Sequence, residues 1–135
     1  MSAARPQNRP IVMWILWAGI TVSIPIYQVK MGGGLLQGTD ARSPFDSPIL
    51  WLAFALLFAA AIIRWLLIRR QPDQGRVLVL LIVGMALSET VTFFEIFLFP
   101  DDMPGTKMTL FAASLLSALQ FAPFYAKREP VTESF

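Results

Sequence analysis

The sequence predicts an all-α membrane protein in which four helices form a transmembrane bundle. Three observations favour this fold class. The 135 residues are 56% hydrophobic and only 15% charged, whereas soluble domains carry about 25% charged residues. The hydrophobic residues are concentrated in four segments that approach the roughly 20 residues a helix needs to cross a bilayer. These segments are apolar on all sides, whereas the strands of a membrane barrel alternate polar and apolar residues.

The four segments span residues of about 11–29, 48–68, 77–99 and 106–125. Within lipid, each backbone N–H and C=O must find its partner inside the segment, so we expect every segment to be a helix. Basic residues precede the first segment, as in a signal peptide, but its hydrophobic run is too long and no cleavage site follows. We therefore interpret it as a retained helix. Residues 1–135 are treated as one membrane domain that ends in a polar tail, 127–135.

The connections predict which helices are neighbours. Residues 69–76 and 100–105 are short turns, and short turns join antiparallel neighbours in helical bundles. Segments two to four should therefore lie side by side. Pro25 and Pro123 should kink or end their helices, because proline lacks the N–H of a helical hydrogen bond and its ring clashes with the preceding turn.

Basic residues predict the orientation. If the chain crosses four times, eight of them lie at one face of the membrane: Arg5, Arg9, Arg64, Arg69, Arg70, Arg76, Lys127 and Arg128. The opposite face has three: Lys30, Arg42 and Lys107. Lys and Arg are enriched on the cytoplasmic side. We therefore expect both termini to be cytoplasmic (N-in/C-in). The same charge pattern fits a protein of a bacterial inner membrane.

The absent residue types exclude several classes of site. The chain has no cysteine and no histidine, which excludes zinc sites built from these ligands and serine–histidine hydrolysis. Without a catalytic or cofactor motif, we expect no enzyme, no cofactor and no metal, and we interpret Asp101 and Asp102 as an ordinary acidic turn. The small net charge of +2 does not favour nucleic-acid binding. The expected partners are the lipid bilayer, a second copy, or other membrane proteins.

Two glutamates in the third segment are the residues that could carry chemistry. An acidic side chain at the centre of a membrane helix costs about 2.5–3.5 kcal/mol on insertion scales. Glu89 follows Arg76 by 13 residues, which is about 20 Å into a core of about 30 Å. Glu95 lies close to Pro100, near the outer headgroups, where the cost is smaller. Because no cation is expected beside Glu89, it should be protonated at neutral pH or face a water-filled cavity.

Hydroxyl side chains accompany these glutamates. Ser88, Thr92 and Glu95 share one helical face. Other segments contribute hydroxyl groups at a similar depth: Thr21, Ser23, Ser114 and Ser117. We predict that these four residues, together with Thr92, surround Glu89 in the bundle interior. The candidate proton- or cation-binding residues are Glu89, Glu95, Ser88, Thr92, Ser23, Ser114 and Ser117. The alternative is a neutral glutamate that is hydrogen-bonded to Ser or Thr and only holds helices together.

The stretch from Gly84 to Phe97 resembles the carboxylate-bearing helix of rotary ATPase c subunits. The resemblance covers 14 residues and depends on five of them, Gly84, Ala86, Leu87, Ser88 and Glu89. It implies that Glu89 could bind a proton or a sodium ion, although this chain has no Gly-rich first helix.

The size and helix count look like those of small multidrug-resistance transporters. Their key glutamate lies in the first helix, where this sequence has no acidic residue.

Two functions from different classes remain open. The first is a structural or accessory membrane protein that binds partners through its helices. Small residues four positions apart would let such helices approach closely, within the chain or between copies: Ala55 and Ala59, Gly84 and Ser88, Ala113 and Ser117. The second is a small proton- or cation-coupled transporter that uses Glu89.

Overall fold

The structure is a computed structural model and describes residues 9–125. Over that range the chain forms four helices and no strand, which confirms the predicted all-α class. Helix α1 spans Arg9–Met31, α2 spans Pro48–Arg70, α3 spans Gln74–Phe97 and α4 spans Pro104–Leu119. The polar tail and three of the residues used to predict the orientation, Arg5, Lys127 and Arg128, lie outside the described residues.

Three of the helices are long and apolar enough to cross a membrane. The membrane-length parts of α1, α2 and α3 have 22, 23 and 24 residues, and a helix of this size is about 33–36 Å long. Large apolar side chains on their outer surfaces are exposed, among them Ile15, Phe58 and Val79. Such a surface suits lipid, which places no penalty on exposed hydrocarbon.

Helix α4 is shorter than the fourth predicted segment. It has 16 residues and ends at Leu119, so its length of about 24 Å falls short of the hydrocarbon core. Residues 120–125 form turns instead, with the N–H of Phe121 bonded to the carbonyl of Ala118. Pro123 explains the early end, because proline disfavours helical backbone in the residue before it. The apolar character of residues 120–125 made them look helical in the sequence.

Helices α1 and α2 depart from ideal geometry in different ways. Helix α1 continues through Pro25, so this proline does not end the helix and removes only the hydrogen bond to the carbonyl of Thr21. In α2, the turns Pro48–Ile62 are followed by a π-helical segment, Ile63–Leu67, and a last α-helical turn, Ile68–Arg70. Such wider turns occur often at functional positions.

Helix α3 lies at the centre of the arrangement. It packs against all three other helices, most extensively against α2 and α4, so the neighbours predicted from the short turns are confirmed. One apolar cluster includes Met13, Leu81 and Met85, and a second includes Leu50, Val91 and Leu110. We call the end of the molecule that carries residues 32–47 the loop end, and the end that carries residues 71–73 the turn end.

The loop between α1 and α2 is attached to the start of α4. The carboxylate of Asp40 accepts hydrogen bonds from the N–H groups of Gly105 at 2.7 Å and Thr106 at 3.1 Å, and from the Thr106 hydroxyl. Burial disfavours the charged form of Asp40, but these hydrogen bonds outweigh that effect and lower its pKa below the ordinary value. Arg42 pairs with Asp102 at 3.2 Å and adds a second attachment.

Candidate functional site

Hydroxyl groups form a line along the interface between α3 and α4. The oxygens of Ser88 and Ser117 are 2.7 Å apart, and those of Thr92 and Ser114 are 2.6 Å apart. All four side chains are buried. We call these four residues the hydroxyl seam. The spacing on α3 agrees with the predicted polar face, which the structure turns toward α4.

The hydrogen bonds of the seam have a definite direction. Ser88 donates to the carbonyl of Gly84 at 3.1 Å, and Ser114 donates to the carbonyl of Phe111 at 2.8 Å. A hydroxyl has one hydrogen to donate, so Ser88 accepts from Ser117 and Ser114 accepts from Thr92. Every hydroxyl hydrogen of the seam is thereby used within the protein.

Glu89 lies on the side of α3 that contacts α1. The hydroxyl oxygen of Ser23 is 2.8 Å from Oε2 of Glu89 and 2.6 Å from the carbonyl of Ile20. Glu89 and Ser23 are both half-buried. The two residues are 66 positions apart in the chain and belong to different helices.

The structure divides the hydroxyl residues that were predicted to surround Glu89. Ser23 is bonded to Glu89, whereas Thr92, Ser114 and Ser117 belong to the hydroxyl seam. The hydroxyl of Thr21 is buried and has no hydrogen-bond partner among the described residues. The grouping fails because consecutive helical residues point about 100° apart. Ser88 therefore faces α4 and Glu89 faces α1.

Within residues 9–125, Glu95 is the one fully buried carboxyl. It is 0% exposed, and neither of its carboxyl oxygens has a hydrogen-bond partner within residues 9–125. The sequence places it near the outer headgroups, where contact with water is expected. The structure instead covers it, since α4 packs across this end of α3.

Lys107 is a buried cation that the sequence analysis did not include in the candidate site. It is 3% exposed and lies within electrostatic range of Glu95. Its Nζ donates a hydrogen bond to Asp101 at 3.2 Å, and the side chain of Asp101 is fully exposed. Lys107 precedes Ser114 and Ser117 by seven and ten residues. This helical spacing places it on the face of the seam and could have identified it.

Arg64 lies at the end of the hydroxyl seam that is opposite to Lys107. Its Nε donates to the carbonyl of Gln120 at 2.5 Å, and its guanidinium lies 4.2 Å from the ring of Trp65 and 4.6 Å from that of Tyr125. The side chain of Gln120 donates to Ser117 at 3.2 Å. A cation is favourable here because the last carbonyls of a helix carry partial negative charge.

The chemistry available to these residues is proton binding at carboxyl groups and hydrogen bonding between helices. Over residues 9–125, no group of three acidic side chains is close enough to hold a metal ion. Asp101 and Asp102 form ion pairs with Lys107 and Arg42. The chain matches no model of a known protein family, no curated protein and no solved structure.

Proposed function

We propose that this protein has a structural or accessory role in a membrane, as a four-helix transmembrane bundle with both termini in the cytoplasm. The observation that carries the proposal is the hydroxyl seam, whose donors are all used within the chain. Hydrogen bonds between membrane helices stabilise their association by about 0.6 kcal/mol on average. Polar groups used in this way hold α3 and α4 together.

The contacts at the turn end support four crossings. The indole N–H of Trp17 donates to the carbonyl of Ala118 at 2.8 Å, and Arg64 reaches Gln120. The end of α4 is therefore level with the last turns of α2, and the residues after Leu119 complete the crossing. Arg69, Arg70 and Arg76 are exposed at this end, which supports its placement in the cytoplasm of a bacterial inner membrane.

A surface of α2 supports contact with a partner helix. Gly84, Ser88 and Ser117 serve packing within the chain, whereas Ala55 is exposed on the outer surface of α2 and Ala59 is half-buried. Small residues spaced in this way let two membrane helices approach closely. We propose that a second copy or another membrane protein binds at this surface.

Disulfide crosslinking in native membranes tests the accessory role, because the chain has no cysteine of its own. We expect Ala55→Cys to form a crosslinked species in which the second component is another copy or a membrane protein with a matching cysteine. Val83→Cys is the matched control, since Val83 is also exposed on a membrane-length helix but has only Val79 and Leu87 four residues away. Equal crosslinking by both variants would contradict the proposal.

A second candidate function is a small transporter coupled to a proton or cation. The observation that favours it is the hydrogen bond between Glu89 and Ser23 in the middle of α3, together with the resemblance of residues 84–97 to the ion-binding helix of rotary ATPase c subunits. Proton flux into proteoliposomes tests it. A transporter should exceed protein-free liposomes and lose this flux in Glu89→Gln. An accessory protein should match protein-free liposomes in both forms.

A further inference from the structure

Glu95 combines complete burial with the absence of any described hydrogen-bond partner. An ionised carboxylate in such surroundings is strongly disfavoured unless a cation approaches it. The nearby cation is Lys107, which is bonded to Asp101 instead. While Lys107 is bonded to Asp101, no cation binds the Glu95 carboxyl, so the uncharged form of Glu95 is favoured.

We propose that Glu95 is a proton-binding site, and that Lys107 transfers from Asp101 to Glu95 when the proton leaves. The proposal does not depend on the accessory role and adds a residue to the transporter candidate, which uses Glu89. Its ligand is a single proton exchanged with the aqueous phase at the loop end. Lys107 acts as a positioning residue that stabilises the ionised carboxylate.

Lys107 is suited to move because water can replace it at its present partner. The side chain of Asp101 is fully exposed, so its carboxylate stays solvated when Lys107 leaves. Asp101 follows Glu95 by six residues, so both carboxyl groups belong to the same end of α3 and its following turn. A lysine side chain has several rotatable bonds and three donors, so a rotamer change can redirect Nζ without moving α4.

The charges balance in each direction. When Glu95 loses its proton to the solution at the loop end, it becomes a carboxylate, and the ammonium group of Lys107 approaches with its own three hydrogens unchanged. Asp101 stays ionised and is solvated by water. Uptake of a proton reverses these steps, and Lys107 returns to Asp101.

Other charged groups at this end have partners of their own or lie in solvent. Asp40 is bonded to Gly105 and Thr106, and Arg42 pairs with Asp102. Helix α1 contributes Tyr27, the exposed Lys30 and the uncharged Gln28. The part of α2 before Arg64 has no charged side chain within the helix. On α3 itself, Glu89 is bonded to Ser23. Lys107 is therefore the cation placed to respond to Glu95.

Infrared spectroscopy of the full-length protein in lipid vesicles tests the site, because a protonated carboxyl has its own C=O stretching band. The difference spectrum between acidic and alkaline pH should contain a band from buried carboxyl groups. We expect Glu95→Gln to abolish one component of this band. Glu89→Gln is the matched control on the same helix and should retain that component. An unchanged band in Glu95→Gln would overturn the proposal.

Two further variants test the transfer of Lys107. In Lys107→Met the ionised carboxylate has no cation, so the Glu95 band should persist to higher pH than in the wild type. In Asp101→Asn the lysine loses its alternative partner, so the band should disappear at lower pH. If the pH at which the Glu95 band disappears shifts in the same direction in both variants, or in neither, the proposed transfer of Lys107 would be overturned. If Lys107→Met does not fold, Asp101→Asn decides alone, because Asp101 is exposed. None of these readouts depends on crosslinking or flux.

Discussion

Glu89 and Glu95 are six residues apart on α3 but have different surroundings. Glu89 is half-buried and hydrogen-bonded to Ser23, whereas Glu95 is fully buried without a described hydrogen-bond partner. The hydroxyl of Ser23 is within bonding distance of both Glu89 and the carbonyl of Ile20. Ser23 donates to Glu89 and thereby links α1 to α3.

The first prediction concerns this pair. Glu89→Gln keeps a side chain of the same shape with an acceptor oxygen for Ser23, so we expect its thermal stability in detergent to remain near that of the wild type. Ser23→Ala removes the partner and should lower the free energy of unfolding by about 0.6 kcal/mol, with an upper value of about 1.7 kcal/mol. A larger loss in Glu89→Gln than in Ser23→Ala would show that Glu89 acts as a carboxylate.

The second prediction concerns Gly84. A Cβ at this position would lie 2.2 Å from Cζ of Phe121, which is fully buried. We expect Gly84→Ala to lower the free energy of unfolding by about 1–3 kcal/mol, as overpacking does. Gly19→Ala is the control, because nothing lies within 4 Å of a Cβ there, and it should be neutral or slightly stabilising. Adding Phe121→Ala should relieve part of the clash in Gly84→Ala.

At the scale of the elements, α3 and α4 are joined by side-chain pairs, and the third prediction measures one of them. A double-mutant cycle with Ser88→Ala and Ser117→Ala should give a coupling free energy of about 0.6 kcal/mol in detergent unfolding experiments. Thr90→Ala is the control, since the hydroxyl of Thr90 bonds within its own helix to Ala86. Additive effects of Ser88→Ala and Ser117→Ala would mean that their hydrogen bond does not link the helices.

The fourth prediction concerns the loop between α1 and α2. The pKa of Asp40 is lowered in the folded protein, so its contribution is present above the unfolded pKa of about 3.9. This contribution is lost as the pH falls through the lower folded value. The protection of residues 32–47 against hydrogen exchange, relative to the intrinsic rate at each pH, should therefore fall below about pH 4.

Two variants of the same loop control this experiment. Asp40→Asn should show fast hydrogen exchange already at neutral pH, because the hydrogen bonds of Asp40 depend on its two acceptor oxygens. Asp46→Asn changes an exposed carboxyl in the same loop and should behave like the wild type. Equal exchange in all three proteins would show that Asp40 does not hold the loop.

For the whole molecule, the fifth prediction tests the proposed orientation. A thiol reagent that does not cross membranes should label Thr39→Cys, in the loop at the outer face, when added to intact cells or spheroplasts. It should label Pro72→Cys, in the turn between α2 and α3, only after the membrane is opened. Both positions are exposed in the structure. The reverse labelling pattern would overturn the N-in/C-in orientation.

Hydropathy and periodicity alone predicted four helices, the membrane length of α1, α2 and α3, and the polar face of α3. These properties follow from consecutive residues, because a helix satisfies its own backbone and its faces repeat every 3.6 residues. The same reasoning extended α4 too far, since composition does not show where Pro123 interrupts an apolar stretch.

The tertiary structure decided which polar groups meet. In the structure Ser23 donates to Glu89, the seam hydroxyls pair with each other, and Glu95 is buried within electrostatic range of Lys107. The groups that meet come from different helices, and Ser23 and Glu89 are 66 residues apart in the chain. A local pattern places a side chain on a helical face, but the packing and rotation of neighbouring helices decide what that face contacts.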